Sequence, residues 1–214
     1  MDSNLNDTDQ IEALLNKDNF KTWRFIIYRC TYQNNTDWDK FLTHFLSPVP
    51  ESLEYYSGLD LLETFAPTVL EDPSFEGATA ATLREHLGQW SKTAMKEEQG
   101  VSEIYRARTG RYRFFIMMDQ EDMQSVLNAP VDQDEMGFVR MVYAEWGPEE
   151  LEKEDIVNGD VDDPEEPLEG CTEYDVGWMK LYWQVAQLPA FLKLRDSDDW
   201  QAYYTRSPEI GHIL

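Results

Sequence analysis

Three short runs of aromatic, branched and other apolar residues stand far apart in the chain: Trp23–Cys30, Tyr112–Met118 and Gly137–Trp146. Runs of this length and composition read as buried strands. Between the first and second lie two helical patterns. Asn35-Thr36-Asp37 is a cap signal, and Trp38, Phe41, Leu42 and Phe45 follow at helical spacing until Ser47-Pro48. Leu83, Leu87 and Trp90 mark one face of a helix over residues 79–92. A less regular strand is expected near Leu59–Phe65, with a turn at Glu71-Asp72-Pro73. Asp119 caps a further helix to Leu127, with Met123, Val126 and Leu127 inward. Strands alternating with helices in this order predict an α+β fold. The favoured form is a ferredoxin-like sandwich of about four strands. A small Rossmann-like sheet is the rival.

The 214 residues suffice for one domain. Residues 1–22 are polar apart from Ile11, Leu14 and Leu15, and are expected to be a flexible segment. Residues 23–214 then form a single α/β domain, interrupted by an acidic loop over 147–170. The aromatic-rich stretches Tyr174–Ala186, Leu188–Leu194 and Trp200–Tyr204 are expected to be helices docked on the sheet. The longest apolar runs, such as Phe114–Met118, fall far short of the roughly 20 residues of a membrane span. The first twenty residues carry Asp2, Asp7, Asp9 and Glu12 and have neither a basic nor an apolar leader region. Two cysteines, Cys30 and Cys171, make no disulfide framework. The expected compartment is the cytoplasm, with no membrane partner.

The net charge is −24. Such a surface repels nucleic acid and anionic membranes at long range. More than half of it lies in residues 145–175, where fourteen acids face one base, Lys153. Pro148, Pro164, Pro167, Gly159 and Gly170 keep most of that stretch out of regular structure.

The phosphate loop, the dinucleotide glycine fingerprint, the zinc-protease helix and the hydrolase nucleophile elbow are all missing. His44, His86 and His212 are scattered, which argues against a histidine triad or a zinc site. No metal or cofactor is expected. The densest unusual feature is Asp162-Asp163-Pro164-Glu165-Glu166, which fits the pattern DDxxE. Carboxylates so close must be solvated, bind a cation or carry a raised pKa. A magnesium-binding helix is disfavoured by Pro164, which would interrupt it. A guanidinium is a good partner for paired carboxylates. A solvated loop is the plain alternative.

A second feature has the opposite sign. Arg106, Arg108, Arg111 and Arg113 fall in a tract with no acid between Ile104 and Met118, interleaved with Tyr105 and Tyr112. Such a tract suits a phosphate backbone, or else its arginines pair with the protein's own acids. Cys30 or Cys171 can serve as a nucleophile if its pKa falls, or as a small apolar residue. Trp178/Tyr182/Trp183 and Trp200/Tyr203/Tyr204 read as core.

The segments FIIYRCTY (25–32), DWDKF (37–41), RFFIMMD (113–119) and DDPEEPLEGCTEYDVGWMK (162–180) resemble a group of small fungal proteins. That group includes the arginine-containing cyclodipeptide synthases of secondary metabolism, whose hallmark is a DDxxE motif. The likeness runs over residues 23–212. It implies that arginyl-tRNA and a second aminoacyl-tRNA are condensed to cyclo(Arg-Xaa), a diketopiperazine, with Asp162, Asp163 and Glu166 as catalytic residues. Glu165 and Glu169 are then expected to bind substrate, and Arg106, Arg108, Arg111 and Arg113 to bind tRNA; no DNA partner is expected. An aminoacyl ester is already activated, so aminolysis needs a base and positioning but no ATP site. Bacterial cyclodipeptide synthases use a serine and a Rossmann-like fold, and no such serine motif is evident here. The alternative from another class is a non-enzymatic acidic module that docks on a basic partner.

Overall fold

The computed structural model describes residues 5–100, 110–130, 136–147 and 165–213. Its elements in chain order are α1 (Asp7–Asp18), β1 (Ile26–Arg29), α2 (Asn35–Leu46), α3 (Pro48–Tyr55), β2 (Thr68–Glu71) and α4 (Ala80–Ala94). They continue with β3 (Phe114–Met118), α5 (Gln120–Leu127), β4 (Phe138–Tyr143), β5 (Trp178–Tyr182), α6 (Leu188–Lys193), α7 (Ser197–Tyr203) and β6 (Ile210–Gly211). The strands form one six-stranded sheet in the order β2-β1-β3-β4-β5-β6. The α+β class holds, but the ferredoxin-like arrangement does not. β1 runs parallel to both its neighbours, with Ile26 opposite Thr68 on one side and Phe115 on the other. β4 is antiparallel to β3 and β5, and β6 is parallel to β5.

The parallel half is the Rossmann-like rival in miniature. Along a strand, successive side chains point to opposite faces. Tyr28 meets His86 of α4 edge-on, with ring centroids 5.6 Å apart. Its neighbour Arg29 lies over Trp38 of α2 at 5.0 Å. The crossover from β1 to β2 thus covers one face and the crossover from β2 to β3 the other. Where such a sheet winds both ways from a central strand, a crevice opens at the carboxyl ends, here of β1 and β3.

The helices begin where the sequence supplies acceptors for their orphan N–H groups. The Asn34 side chain caps α2, which buries Trp38, Phe41 and Phe45. Thr79 caps α4, which runs on through a wider turn over Met95–Gln99 and stops at left-handed Gly100. Asp119 and Asp122 form a reciprocal capping box at α5. Buried aromatic and aliphatic residues from both sheet faces form one contiguous core.

Three expectations need correction. The N-terminal segment is not loose: α1 is closed by an Asn6–Asp9 capping box, buries Ile11, Leu14 and Leu15, and packs against α6. Leu59–Glu63 is a 3-10 turn, and the strand lies later, at Thr68–Glu71. Within the stretch expected to be helical, Trp178–Tyr182 is strand β5. A spacing of four, as from Trp178 to Tyr182, belongs to one face of a strand as well as of a helix. Among the described residues, no helix is long and apolar enough to cross a membrane.

Candidate functional site at the carboxyl edge

The carboxyl ends of β1 and β3 collect charged side chains from six segments. At the end of β1, Arg29 donates to Thr31 O (2.9 Å) and Asn35 Oδ1 (2.5 Å), and its Nη1 lies 3.6 Å from Glu71. Trp38 Nε1 donates to the same Glu71 carboxylate at 2.6 Å. The Thr31 hydroxyl donates to Gln120 Oε1 (2.7 Å), which ties β1 to the start of α5. Tyr32 N donates to Glu76 (2.6 Å), and Gly77 N to Cys30 O (3.2 Å).

Next to this lies a cluster built on Arg140 of β4. The capping box sets its first two members: Asp119 Oδ1 accepts from Asp122 N at 3.0 Å, and Asp122 Oδ2 accepts from Asp119 N at 3.4 Å. Arg140 Nη2 reaches Asp119 at 2.8 Å and Asp122 at 3.6 Å, while Nη1 stands 3.6 Å from Glu169. The guanidinium lies 4.7 Å over the Trp178 ring. Asp122 is wholly buried. Its Oδ1, together with Arg140 Nε and Trp178 Nε1, has no hydrogen-bond partner among the described residues. Burial pushes the Asp122 carboxyl up to about 7, with Asp119 adding to the rise and Arg140 and Lys180 opposing it. Burial pulls Arg140 down, but Asp122, Asp119 and Glu169 outweigh it and hold it above its ordinary value.

Glu169 arrives from the acidic stretch. Leu168 and Cys171 pair across a tight turn, and Glu169 itself is left-handed, at φ 49°. Its Oε2 accepts from Ala80 N, the first amide of α4, at 3.0 Å. A carboxylate at a helix N-terminus is favoured by the helix dipole. The same stretch is anchored behind the turn. Arg206 donates to the carbonyls of Glu166 (2.5 Å), Glu173 (2.5 Å) and Tyr174 (3.0 Å). Trp200 Nε1 donates to Asp175 at 2.8 Å. Arg84 donates to Tyr143 O (3.0 Å) and Val176 O (3.1 Å). Gly177 is left-handed at φ 73°, and a Cβ there would fall 2.2 Å from the Arg84 guanidinium. Residues 165–177 are therefore a strap that brings Glu169 to the carboxyl edge and ends beside Tyr143, which pairs with Phe114 at the amino end of β3.

Of the residues expected to act, Asp162, Asp163, Arg106 and Arg108 lie outside the described residues. Glu165 and Glu166 are exposed on the strap, with Glu165 N donating to Thr172 O at 2.9 Å. The strap brings Glu169 to the sheet edge but leaves Glu165 and Glu166 outside the Arg140 cluster.

Arg111 and Arg113 do not have the placement expected of phosphate contacts. Arg111 is wholly buried. It donates through Nε and Nη2 to Glu98 (3.2 and 2.9 Å), through Nη1 to Arg24 O and Ala66 O (2.6 and 2.9 Å), and through Nη2 to Thr68 (2.8 Å). Those contacts use all five guanidinium N–H groups. Arg113 is buried as well, with Nε 3.3 Å from Glu145 and Nη1 donating to Arg195 O at 3.1 Å. In an acidic chain these two arginines answer internal acids and carbonyls. They also lie at the amino end of β3, and Asp119 at its other end is about 20 Å away at strand rise.

Cys30 is buried, and burial with nearby Asp119 and Asp122 pushes its thiol up to about 12, so it is not a ready nucleophile. Cys171 is half-buried on the strap. His86 Nδ1 lies 2.8 Å from the Tyr28 hydroxyl, and His44 packs on Trp183 at 4.6 Å. Among the described residues, no group of three or more His, Cys, Asp or Glu is placed to hold a metal ion.

Sequence reasoning missed Asp119, Asp122 and Arg140 as a cluster. The signals were present. Asp-x-x-Asp directly after an apolar strand is a capping box, and Arg140 is a lone charge inside the apolar run FVRMVY. No family model, no curated protein and no solved structure matches this chain.

Proposed function

We propose that the protein is a tRNA-dependent cyclodipeptide synthase that joins the arginyl group of arginyl-tRNA to a second aminoacyl group, giving cyclo(Arg-Xaa). The observation that carries this reading is the strap. The sequence stretch that resembles the fungal arginine-dependent family delivers Glu169 to the carboxyl edge, where it meets the first amide of α4 and Arg140 of β4. Doubly wound sheets bind their ligands at that edge. Exposed Glu165 and Glu166 follow Asp162 and Asp163 after a single proline, Pro164, and suit a guanidinium by charge and shape. The chemistry is aminolysis of an activated ester: the amine of one aminoacyl group attacks the ester carbonyl of the other, and tRNA leaves through its ribose hydroxyl. A second such attack closes the ring. Each step needs a base for the attacking ammonium, and a carboxylate crowded by its neighbours is suited to that role.

The test is to incubate the purified protein with arginyl-tRNA and a mixture of other aminoacyl-tRNAs and to search the products by mass spectrometry. An arginine-containing diketopiperazine is expected, with turnover lost in Glu166→Ala while thermal stability moves by about ±0.5 kcal/mol or less, as for an exposed site. Aminoacyl-tRNA left intact by soluble, folded protein would favour the acidic docking module instead.

A further inference from the structure

One guanidinium at the carboxyl edge serves three carboxylates, and the three are not held equally. Asp119 is fixed by the α5 cap and touches Arg140 at 2.8 Å. Asp122 is also fixed by the cap and is sealed from solvent, with Oδ1 left unpartnered among the described residues. Glu169 is the movable member. It sits on a turn whose left-handed backbone is unfavourable for a non-glycine residue. Its contact with Arg140 is long, at 3.6 Å, and its side chain keeps about a quarter of its exposure.

We propose that Arg140 is the positioning residue for the strap, holding Glu169 at the carboxyl edge while Asp122 carries a proton and releasing it once Asp122 is ionised. With Asp122 neutral, one cation faces Asp119 and Glu169. With Asp122 charged, its Oδ2, 3.6 Å from Nη2, competes for the same guanidinium, and Glu169 meets a cluster that is already negative. The remaining charges around Asp122 do not cancel this. Lys180 is engaged by Glu121 at 2.8 Å, and the buried Cys30 thiol stays neutral near pH 7. Burial places the Asp122 titration near 7, so the change falls where a cell can reach it. The base of the strap stays tied by Arg206 in either state. Only the tip moves, and moving it frees the first amide of α4 and one side of the Arg140 guanidinium. The device goes beyond the proposed reaction and stands without it, because its test reads no turnover.

The amide of Ala80 reports the docked state directly, since its acceptor is Glu169 Oε2. Thr82 N, which donates to the Thr79 hydroxyl in the same turn, is the internal control. Amide exchange measured by NMR gives protection factors from which the intrinsic pH dependence is already removed. In the wild type, Ala80 protection should fall several-fold from pH 6 to pH 8 while Thr82 stays constant. Asp122→Asn should keep Ala80 protected at pH 8. Glu169→Ala should leave it unprotected at both pH values, and the wild type should approach that level at pH 8. Wild-type protection that is flat across this range, or a fall that Asp122→Asn reproduces in full, would overturn the proposal. Should Asp122→Asn fail to fold, the comparison of wild type with Glu169→Ala decides it alone.

Discussion

Arg111 at the amino ends of the parallel strands and Arg140 at their carboxyl ends are both buried and both meet carboxylates. Arg111 has one acid, Glu98, which takes two of its donors, and three further contacts that take the rest. Arg140 has three acids, two of them at 3.6 Å, and an Nε with no partner among the described residues. A saturated network fixes a structure, because each group that leaves strands another in a medium that cannot solvate it. An over-subscribed one has alternatives close in energy. The amino edge therefore reads as a clasp and the carboxyl edge as a working surface.

The comparison breaks most visibly if the clasp is cut. Arg111→Gln leaves Glu98, the carbonyls of Arg24 and Ala66 and the Thr68 hydroxyl short of a donor. Removing one partner of a buried pair costs about 3–5 kcal/mol, read as a shift in urea midpoint with an unchanged slope. The matching change at the other edge, Arg140→Gln, should cost less, about 1–3 kcal/mol. Asp122 then takes up a proton instead of standing as a bare buried charge. Equal losses at the two edges would erase the distinction.

The two edges were also unequally legible in the sequence. β1, β3 and β4 stood out because each is apolar on both faces, and α2, α4 and α5 because cap and periodicity agree. β2 was misplaced. Thr68–Glu71 is a half-exposed edge strand of four residues with only one paired neighbour, so its pattern is weak. Leu61, four residues in from Ser57-Gly58, imitated a strand while packing from a 3-10 turn. The strap was visible as an acidic, proline-broken stretch, and Glu169 was singled out within it. The partners that hold Glu169 were not visible, because Asp119, Asp122, Arg140 and Ala80 are far apart in sequence and meet only through the strand order.

A subtler way to sharpen the comparison is pH. The Asp122 carboxyl titrates near 7 in the folded protein, and its ordinary value is 3.8. Between those values the native state holds a proton that the unfolded chain has released. This group's contribution to stability is therefore complete below about pH 4 and is lost as pH rises through 7, with a slope of at most about 1.4 kcal/mol per pH unit. Asp122→Asn should remove that part of the pH–stability curve, measured by denaturation from pH 4.5 to pH 8. Glu98→Gln at the clasp should lower the whole curve without removing that slope. If the slope survives in Asp122→Asn, the raised carboxyl lies elsewhere.

The smallest effect concerns RNA. Read from the sequence alone, Arg106, Arg108, Arg111 and Arg113 offer four phosphate contacts. Arg111 has given its donors to Glu98, Thr68 and two carbonyls, and Arg113 is held by Glu145 and Arg195 O. A phosphate cannot compete for a guanidinium whose N–H groups are already satisfied inside the fold. That leaves Arg106 and Arg108 of the tract, and each phosphate contact contributes about −0.7 to −0.9 to the log–log slope of affinity against salt. The tract should thus give a slope no steeper than about −2. Arg106→Gln and Arg108→Gln should each flatten it by about one unit, whichever amino acid the tRNA carries, since phosphate contacts position RNA without reading it. Arg113→Gln should leave the slope unchanged at a temperature where the variant is folded. Filter binding across a salt series measures all three. A wild-type slope near −4 that drops in Arg113→Gln would mean that the amino edge opens to bind RNA, and the division between clasp and working surface would have to be given up.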